Sequence, residues 1–155
     1  LFNYAGAPWL TQKWVRKVKA AYSDVTPYGG YRDDEDQGQM GALGVLMAIG
    51  LFEVDGGCAE KPFYEITSPL FDKVTIHLDN RYYPGKTFQI ITVGNSADNM
   101  YIQRASFNGK KWNKCWFYHE DFIKGGTLEL QLGTTPNKKW GIEEFPPSSV
   151  SSDKD

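Results

Sequence analysis

The spacing of the apolar residues changes once along this chain, at Gly50, and that change restricts the available folds most strongly. Before Gly50 they recur with a helical period of about 3.6 residues, and after it they alternate with the period of two that belongs to half-buried strands. The expectation is an α+β chain, two helices followed by an antiparallel, sandwich-like β region.

Pro8 suits the first position of a helix, where a missing N–H costs nothing, and Thr11 would cap a slightly later start. From Gln12 onward Trp14, Val15, Val18, Ala21 and Tyr22 fall on one face. Lys13, Arg16, Lys17 and Lys19 lie largely opposite, as a solvated basic stripe that also suits the end of the helix dipole. Pro27 and Gly29-Gly30 end the element. A second helix is expected from Gln37 to about Ile49, and Met40 through Ile49 are apolar or small all round, which predicts burial on nearly every side. Its glycines lower helix propensity but let a neighbouring helix come close. One other clear helix cannot bury it, so the reading is of a segment whose remaining partners lie elsewhere in a longer polypeptide.

Strands are expected at Phe63–Ile66, Val74–Leu78, Thr87–Val93, Tyr101–Phe107, Lys114–Tyr118 and Thr127–Leu132. Asp79-Asn80, Pro84-Gly85, Gly94-Asn95, Asn108-Gly109 and Gly125-Gly126 punctuate them, and Asn108-Gly109 is a two-residue hairpin signal. The tail from Glu143, with Pro146-Pro147 and several serines, reads as loose.

Seventeen Lys and Arg against nineteen Asp and Glu leave a net charge of −2, which excludes a strongly basic nucleic-acid binder. The longest apolar run, Met40 to Phe52, falls short of the ~18–20 residues of a membrane span. The start Leu1-Phe2-Asn3-Tyr4 has neither an initiator Met nor a basic leader, which fits a piece cut from a longer chain. Cys58 and Cys115 have no metal-type spacing; free thiols are expected, with a long-range disulfide left open. Aromatic residues make up 15% of the chain, a share that serves either a core or the faces of sugars.

Chemistry concentrates at Asp33-Asp34-Glu35-Asp36-Gln37-Gly38-Gln39-Met40, four carboxylates running into the most apolar helix. The helix dipole favours acids there and Asp36 is a possible cap, yet four acids repel one another more than capping requires. A calcium loop of the EF-hand type fails, because Gly44 stands where its closing Glu belongs. Asp34-Glu35-Asp36 is literally the D-x-D of nucleotide-sugar transferases, without the apolar strand that usually precedes it. The third reading is a general base for glycoside hydrolysis, one carboxylate activating water while the other holds a hydroxyl, a cation or that water.

The segment Asp34 to Met40, followed by a small-residue helix and Gly50-Leu51-Phe52, resembles the G-[DN]-[DE]-D-x-G-Q-M segment of glycoside hydrolase family 92, with Asp33 in place of the leading glycine. Asn3-Tyr4-Ala5-Gly6-Ala7-Pro8-Trp9 with Thr11-Gln12, and Ser68-Pro69-Leu70-Phe71-Asp72-Lys73-Val74-Thr75-Ile76, resemble two further family motifs. Tyr101-Ile102-Gln103, Asn108-Gly109-Lys110, Gly125-Gly126 and Leu132-Gly133 continue the likeness to about residue 141.

The resemblance implies an inverting, calcium-dependent exo-α-mannosidase of bacterial type, exported to the periplasm or cell surface, acting on mannose-containing glycans such as N-glycans. Residues 1–52 would be the last helices of an (α/α)6 toroid, 53–142 the appended antiparallel strands and 143–155 a flexible tail. Asp34 and Asp36 carry over as general-base candidates, Asp36 also as a possible calcium ligand, while the catalytic acid is expected upstream of this chain. Trp9 and Gln12 are read as lining the pocket mouth, with Trp9 equally a core residue. Gln39 offers its amide to the site or lies on the helix surface. His77 and His119-Glu120-Asp121 are isolated or at a turn, and Trp112 and Trp116 should share a packed face. The rivals are a calcium-stabilised carbohydrate-binding β-sandwich without catalysis and a structural domain that completes another chain.

Overall fold

The computed structural model describes residues 1–22, 26, 30 and 37–148. Helix α1 spans Pro8–Ala21, with Pro8 at its start and no side-chain cap. Thr11 is not the cap: it sits inside the helix and its hydroxyl donates to Asn3 Oδ1 at 2.7 Å. Helix α2 spans Gln39–Ile49 and starts two residues later than expected. Gln37 and Gly38 both have left-handed backbones (φ 54° and 88°), so neither can belong to the helix, and Gly38 rather than Asp36 is its N-cap.

Eight strands and one short helix follow: β1 (Leu51–Phe52), β2 (Phe63–Ile66), β3 (Lys73–His77), β4 (Thr87–Val93), β5 (Tyr101–Phe107), β6 (Lys110–Lys111), β7 (Trp116–Tyr118), α3 (His119–Ile123) and β8 (Gly126–Gly133). They form a three-stranded sheet in the order β1-β2-β7 and a five-stranded sheet in the order β3-β4-β8-β5-β6. The α+β class holds. The all-antiparallel expectation does not, because β8 enters between β4 and β5 and runs parallel to β4, Phe88 opposite Gly126. On its other edge β8 is antiparallel to β5, with a bulge between Ile102 and Arg104. The insertion places Leu128, Leu130 and Leu132 in the middle of the core, each nearly or fully buried. Sequence adjacency would have paired β4 with β5 across Gly94-Asn95; that loop instead arches over the end of β8.

Asn108-Gly109 makes the tight β5–β6 turn, both residues left-handed (φ 50° and 76°). Gly50 is the pivot between helices and strands. Its N–H caps α2 at Leu46 O (3.0 Å), its carbonyl accepts from Thr67 N (2.8 Å), and a Cβ there would sit 2.4 Å from Pro69 Cγ. The core is one cluster fed by both sheets, from Phe63 and Ile66 on β2 to Phe88, Ile102 and Leu130 on the larger sheet. Residues 143–148 lie against this body: the Glu144 carbonyl accepts from Trp116 Nε1 at 3.1 Å, its carboxylate pairs with Lys114, and Pro146 is buried.

The helices depart from expectation in one instructive way. α1 rests on the sheet through its polar side. Gln12 is 1% exposed and accepts from the Ile102 backbone N–H at 3.0 Å, while Arg16 reaches Ser68 Oγ and Asn95 Oδ1. Trp14 and Val18, the stripe expected to face inward, are 46% and 41% exposed. Within α2 only Met47 and Ala48 are buried, so burial on every side is not achieved by this chain. The reason is supply: the two sheets use their apolar faces on each other and offer the helices mainly edges and loops.

Candidate functional site

Asp34 and Asp36, with Asp33 and Glu35, lie outside the described residues. Their frame is described on both sides, by the end of α1 at Tyr22 and by the left-handed pair Gln37-Gly38. Of the other sequence candidates, Gln39 is the exposed first residue of α2. Trp9 is half-buried on α1 with the Lys138 ammonium 5.3 Å above its ring. Gln12 is sealed in the interior with its Nε2 unpartnered. The fold places Trp9, Gln12 and Gln39 in three settings, half-buried, sealed and exposed.

It does gather a set that sequence reasoning passed over. Asn3, wholly buried, takes the Thr11 hydroxyl on its oxygen and donates its amide to Glu65 Oε2. Glu65, on β2, is 3% exposed, and the Tyr4 phenol bonds the same carboxylate. Thr67 is 1% exposed, and among the described residues its hydroxyl has no partner. Glu65 shares strand parity with Phe63, and β2 is covered on both faces, with Phe63 and Glu65 buried on one and Ile66 on the other. Both Glu65 and Thr67 line an apolar groove of about 300 Å³ between α1, α2 and β1, together with Trp14, Val18, Leu43 and Met47.

Burial raises the Glu65 carboxyl above its ordinary 4.5, only partly offset by the hydrogen bond from Asn3, the N-terminal charge and the hydrogen bond from Tyr4. Burial, then the Glu65 charge, pushes the Tyr4 phenol up to about 12. Burial likewise takes the Cys115 thiol to about 12, which removes it as a nucleophile. Cys58 and Cys115 are both free, one exposed and one buried.

A carboxyl whose folded pKa is raised holds its proton more tightly in the native state. Its contribution is full below 4.5 and is lost as pH rises through the folded value. Glu65→Gln is therefore expected to flatten the fall in stability above pH 4.5 and to leave this chain about 1–2 kcal/mol more stable at pH 8. Urea unfolding at a series of pH values checks this, and equal slopes for variant and wild type would refute it.

A larger recess is an open trough of about 810 Å³ on the outer face of the larger sheet, lined by Arg104, Glu129, Gln131 and Asn137 among others. Trp140 contributes to it but is 3% exposed and spends its indole N–H on Trp112 O, so it offers no ring for stacking. Trp112 and Trp116 pack as expected, with the Lys114 ammonium over both rings. His119 opens α3 rather than a turn. Its Nδ1 meets the Tyr64 hydroxyl at 3.0 Å, while Glu120 and Asp121 pair with Lys124. Among the described residues no group of three His, Cys, Asp or Glu is placed to hold a metal, and no helix is long and apolar enough to cross a membrane.

Residues 1–134 match the family description "Glycosyl hydrolase family 92 catalytic domain". The chain belongs to glycosyl hydrolase family 92. It is 36% identical over 153 residues to an uncharacterized secreted glycosidase of Arthroderma benhamiae, covering 96% of this chain and 19% of that protein. It superimposes on a family 92 inverting mannosidase of Bacteroides thetaiotaomicron with a TM-score of 0.81 at 36% identity, covering 95% of this chain and 19% of that one. A family 92 α-mannosidase of the same organism gives 0.82 at 29% identity, with 96% and 19% coverage. The family 92 chain thus spans about a fifth of the length of these relatives. The groove and the acid segment both lie inside the matched residues.

Proposed function

We propose that this chain is a segment of the catalytic domain of an inverting exo-α-mannosidase that hydrolyses α-linked mannosides, with α-1,2 linkages the foremost substrate. One observation carries the proposal: the catalytic-domain match, residues 1–134, includes Asp34-Glu35-Asp36, in a fold similar to that of a family 92 inverting mannosidase. In this reading residues 1–52 are the closing helices of the (α/α)6 domain, 53–142 its appended strands and 143–155 a tail. The protein is exported, as the secreted Arthroderma relative suggests, and works on mannose-containing glycans such as N-glycans.

The chemistry asked of this chain is that of a general base. An inverting hydrolysis takes a proton from water on one face of the sugar and gives one to the leaving oxygen on the other, so the two carboxyls stand roughly 6.5–9.5 Å apart. Asp34 or Asp36 takes the proton, and the remaining aspartate orients that water or a sugar hydroxyl. The acid comes from residues beyond this chain, so residues 1–155 alone are inactive. Trp9 and Gln39 flank the sugar in this scheme; Gln12 supports it from below by holding β5.

Calcium is carried into the proposal by the family resemblance. The described residues do not make a site for it, since a calcium ion takes six to eight oxygens and no carboxylate cluster is among them. No step above runs through the ion.

The test uses the longest polypeptide that the source encodes, assayed for mannose release from α-linked mannobioses with EDTA, without it, and with calcium restored. Release that EDTA abolishes and calcium restores is the expected result. No release from any linkage, with the fold intact and calcium present, overturns the proposal. It would turn attention to carbohydrate binding without catalysis, for which the trough beside Arg104 and Gln131 is the place to look.

A further inference from the structure

The trough on the outer face of the larger sheet takes no part in the chemistry proposed for Asp34 and Asp36, yet it is built rather than left over. Strict alternation would give β5 one outward residue after the buried Ile102. The bulge supplies two, Gln103 and Arg104, before Ala105 turns inward again, and both line the trough. An extra residue of this kind re-aims a side chain and is common beside functional sites. Gln103 holds the wall: its Nε2 donates to Thr135 O at 2.8 Å, and its carbonyl accepts from Asn137 Nδ2 at 2.9 Å. That wall carries Lys139, whose backbone N–H donates to Asn137 Oδ1 at 3.0 Å. Arg104 lies on the floor, and its Nε donates to Gln131 Oε1 at 2.6 Å. This one bond orients the guanidinium and leaves its terminal N–H groups for another partner.

The charges of the lining select the ligand. Arg104, Lys111 and Lys139 face the trough against one carboxylate, Glu129, on a chain whose net charge is −2. None of the four forms an ion pair among the described residues. Register sets Ser106 between Glu129 and Lys111, so those two charges stand two strand spacings apart, about 10 Å. A local excess of cations on a net-negative chain favours an anion at this place without a general attraction for polyanions. The fork of Arg104 matches an oxyanion in two-point contact. Glu129 narrows the choice, because it needs a neutral donor and repels further carboxylates. A sugar chain brings hydroxyls that donate to Glu129 and accept from Gln131; an acidic peptide brings mainly more carboxylates. A neutral sugar chain would have little to hold it, since the Trp140 ring is buried and gives no stacking surface. We propose that the trough binds an acidic glycan, with its oxyanion on Arg104 beside the two lysines and hydroxyls of the same chain on Glu129 and Gln131. This site is separate from the mannosidase chemistry and stands whether or not Asp34 or Asp36 is the base.

The test is titration calorimetry on the longest encoded polypeptide with trigalacturonate, its fully methyl-esterified form, a sulfated trisaccharide and a glutamate tripeptide. None of the four is an α-mannoside, so binding is read apart from mannose release. Trigalacturonate or the sulfated sugar is expected to bind, and the tighter of the two names the oxyanion. The methyl ester keeps the hydroxyls of trigalacturonate without its charge and is expected to bind at least about tenfold more weakly than an acidic sugar. Salt at about 1 M, where the Debye length is about 3 Å, weakens acidic-sugar binding several-fold. Arg104→Gln raises Kd at least about tenfold and Lys139→Gln raises it less, with Tm unchanged in both because both side chains are exposed. Binding of neither acidic sugar overturns the proposal. So does a methyl ester that binds as well as the acid, which would make this a neutral-sugar site. A glutamate tripeptide that binds as tightly as the sugars would make it a peptide site and overturns it too. Acidic-sugar binding that both variants leave unchanged lies elsewhere on the molecule and removes the trough from it.

Discussion

Asp34→Asn and Asp36→Asn, each made in the longest encoded polypeptide, are expected to split: one lowers mannose release by about 10²–10⁴-fold, the contribution of a positioned general base. The other lowers it less. Asparagine keeps the size and much of the hydrogen bonding of aspartate but cannot take a proton from water, so the variant isolates that single role. The split can be read chemically as well as by rate. Azide is a nucleophile that needs no base. It should restore turnover in the variant that has lost the base, giving the β-mannosyl azide by inversion from an α-mannoside. It should do nothing for the variant whose carboxylate only held a hydroxyl or a cation. Loss of less than about tenfold in both variants would remove these aspartates from the chemistry, and would leave the proposed mannosidase without a base in this chain.

The extent to which the sequence disclosed this arrangement depended on what each element packs against. Strands β2, β4 and β5 lie at the residues the sequence predicts; in β4 the period of two is set by the one face that enters the common core. Pairing was less legible. Nothing local tells β8 to insert parallel to β4, since Leu128, Leu130 and Leu132 would suit any central position in a sheet. α3 carried a sign that was overlooked: Glu120 and Asp121 in its first turn and Lys124 at its end complement a helix dipole. The apolar residues of α1 share one face as their period predicts, and in this chain Trp14 and Val18 are 46% and 41% exposed. Periodicity reports which residues share a face and is silent on what that face meets. Glu65 was passed over for a similar reason. A charged residue inside a four-residue strand reads as surface until its parity with Phe63 is counted, and its partner Asn3 is 62 residues away. The acid segment is the reverse case, legible as a motif across Asp34-Glu35-Asp36 and lying outside the described residues.

Removing the Phe88 ring is expected to be the most damaging change to the fold. Phe88 is fully buried on β4, with the rings of Phe122, Phe117 and Phe107 centred 4.8, 5.7 and 5.8 Å away. Phe117 belongs to β7 in the smaller sheet and Phe107 to β5 in the larger, so one side chain joins both sheets and α3. Phe88→Ala loses the transfer energy of the ring and leaves a cavity that three other rings, held by three different elements, cannot collapse into; the expected cost is about 3–5 kcal/mol. Part of that is ring–ring contact of about 0.5–1.5 kcal/mol per pair, which an aliphatic side chain does not replace. Phe88→Leu, which fills most of the space, should therefore cost about 1–2 kcal/mol. Val93→Ala at the end of the same strand, 49% exposed, should cost under about 0.5 kcal/mol. Urea unfolding followed by the fluorescence of the five tryptophans measures all three. A Phe88→Ala cost below about 1.5 kcal/mol would mean that the two sheets are not held at this ring cluster.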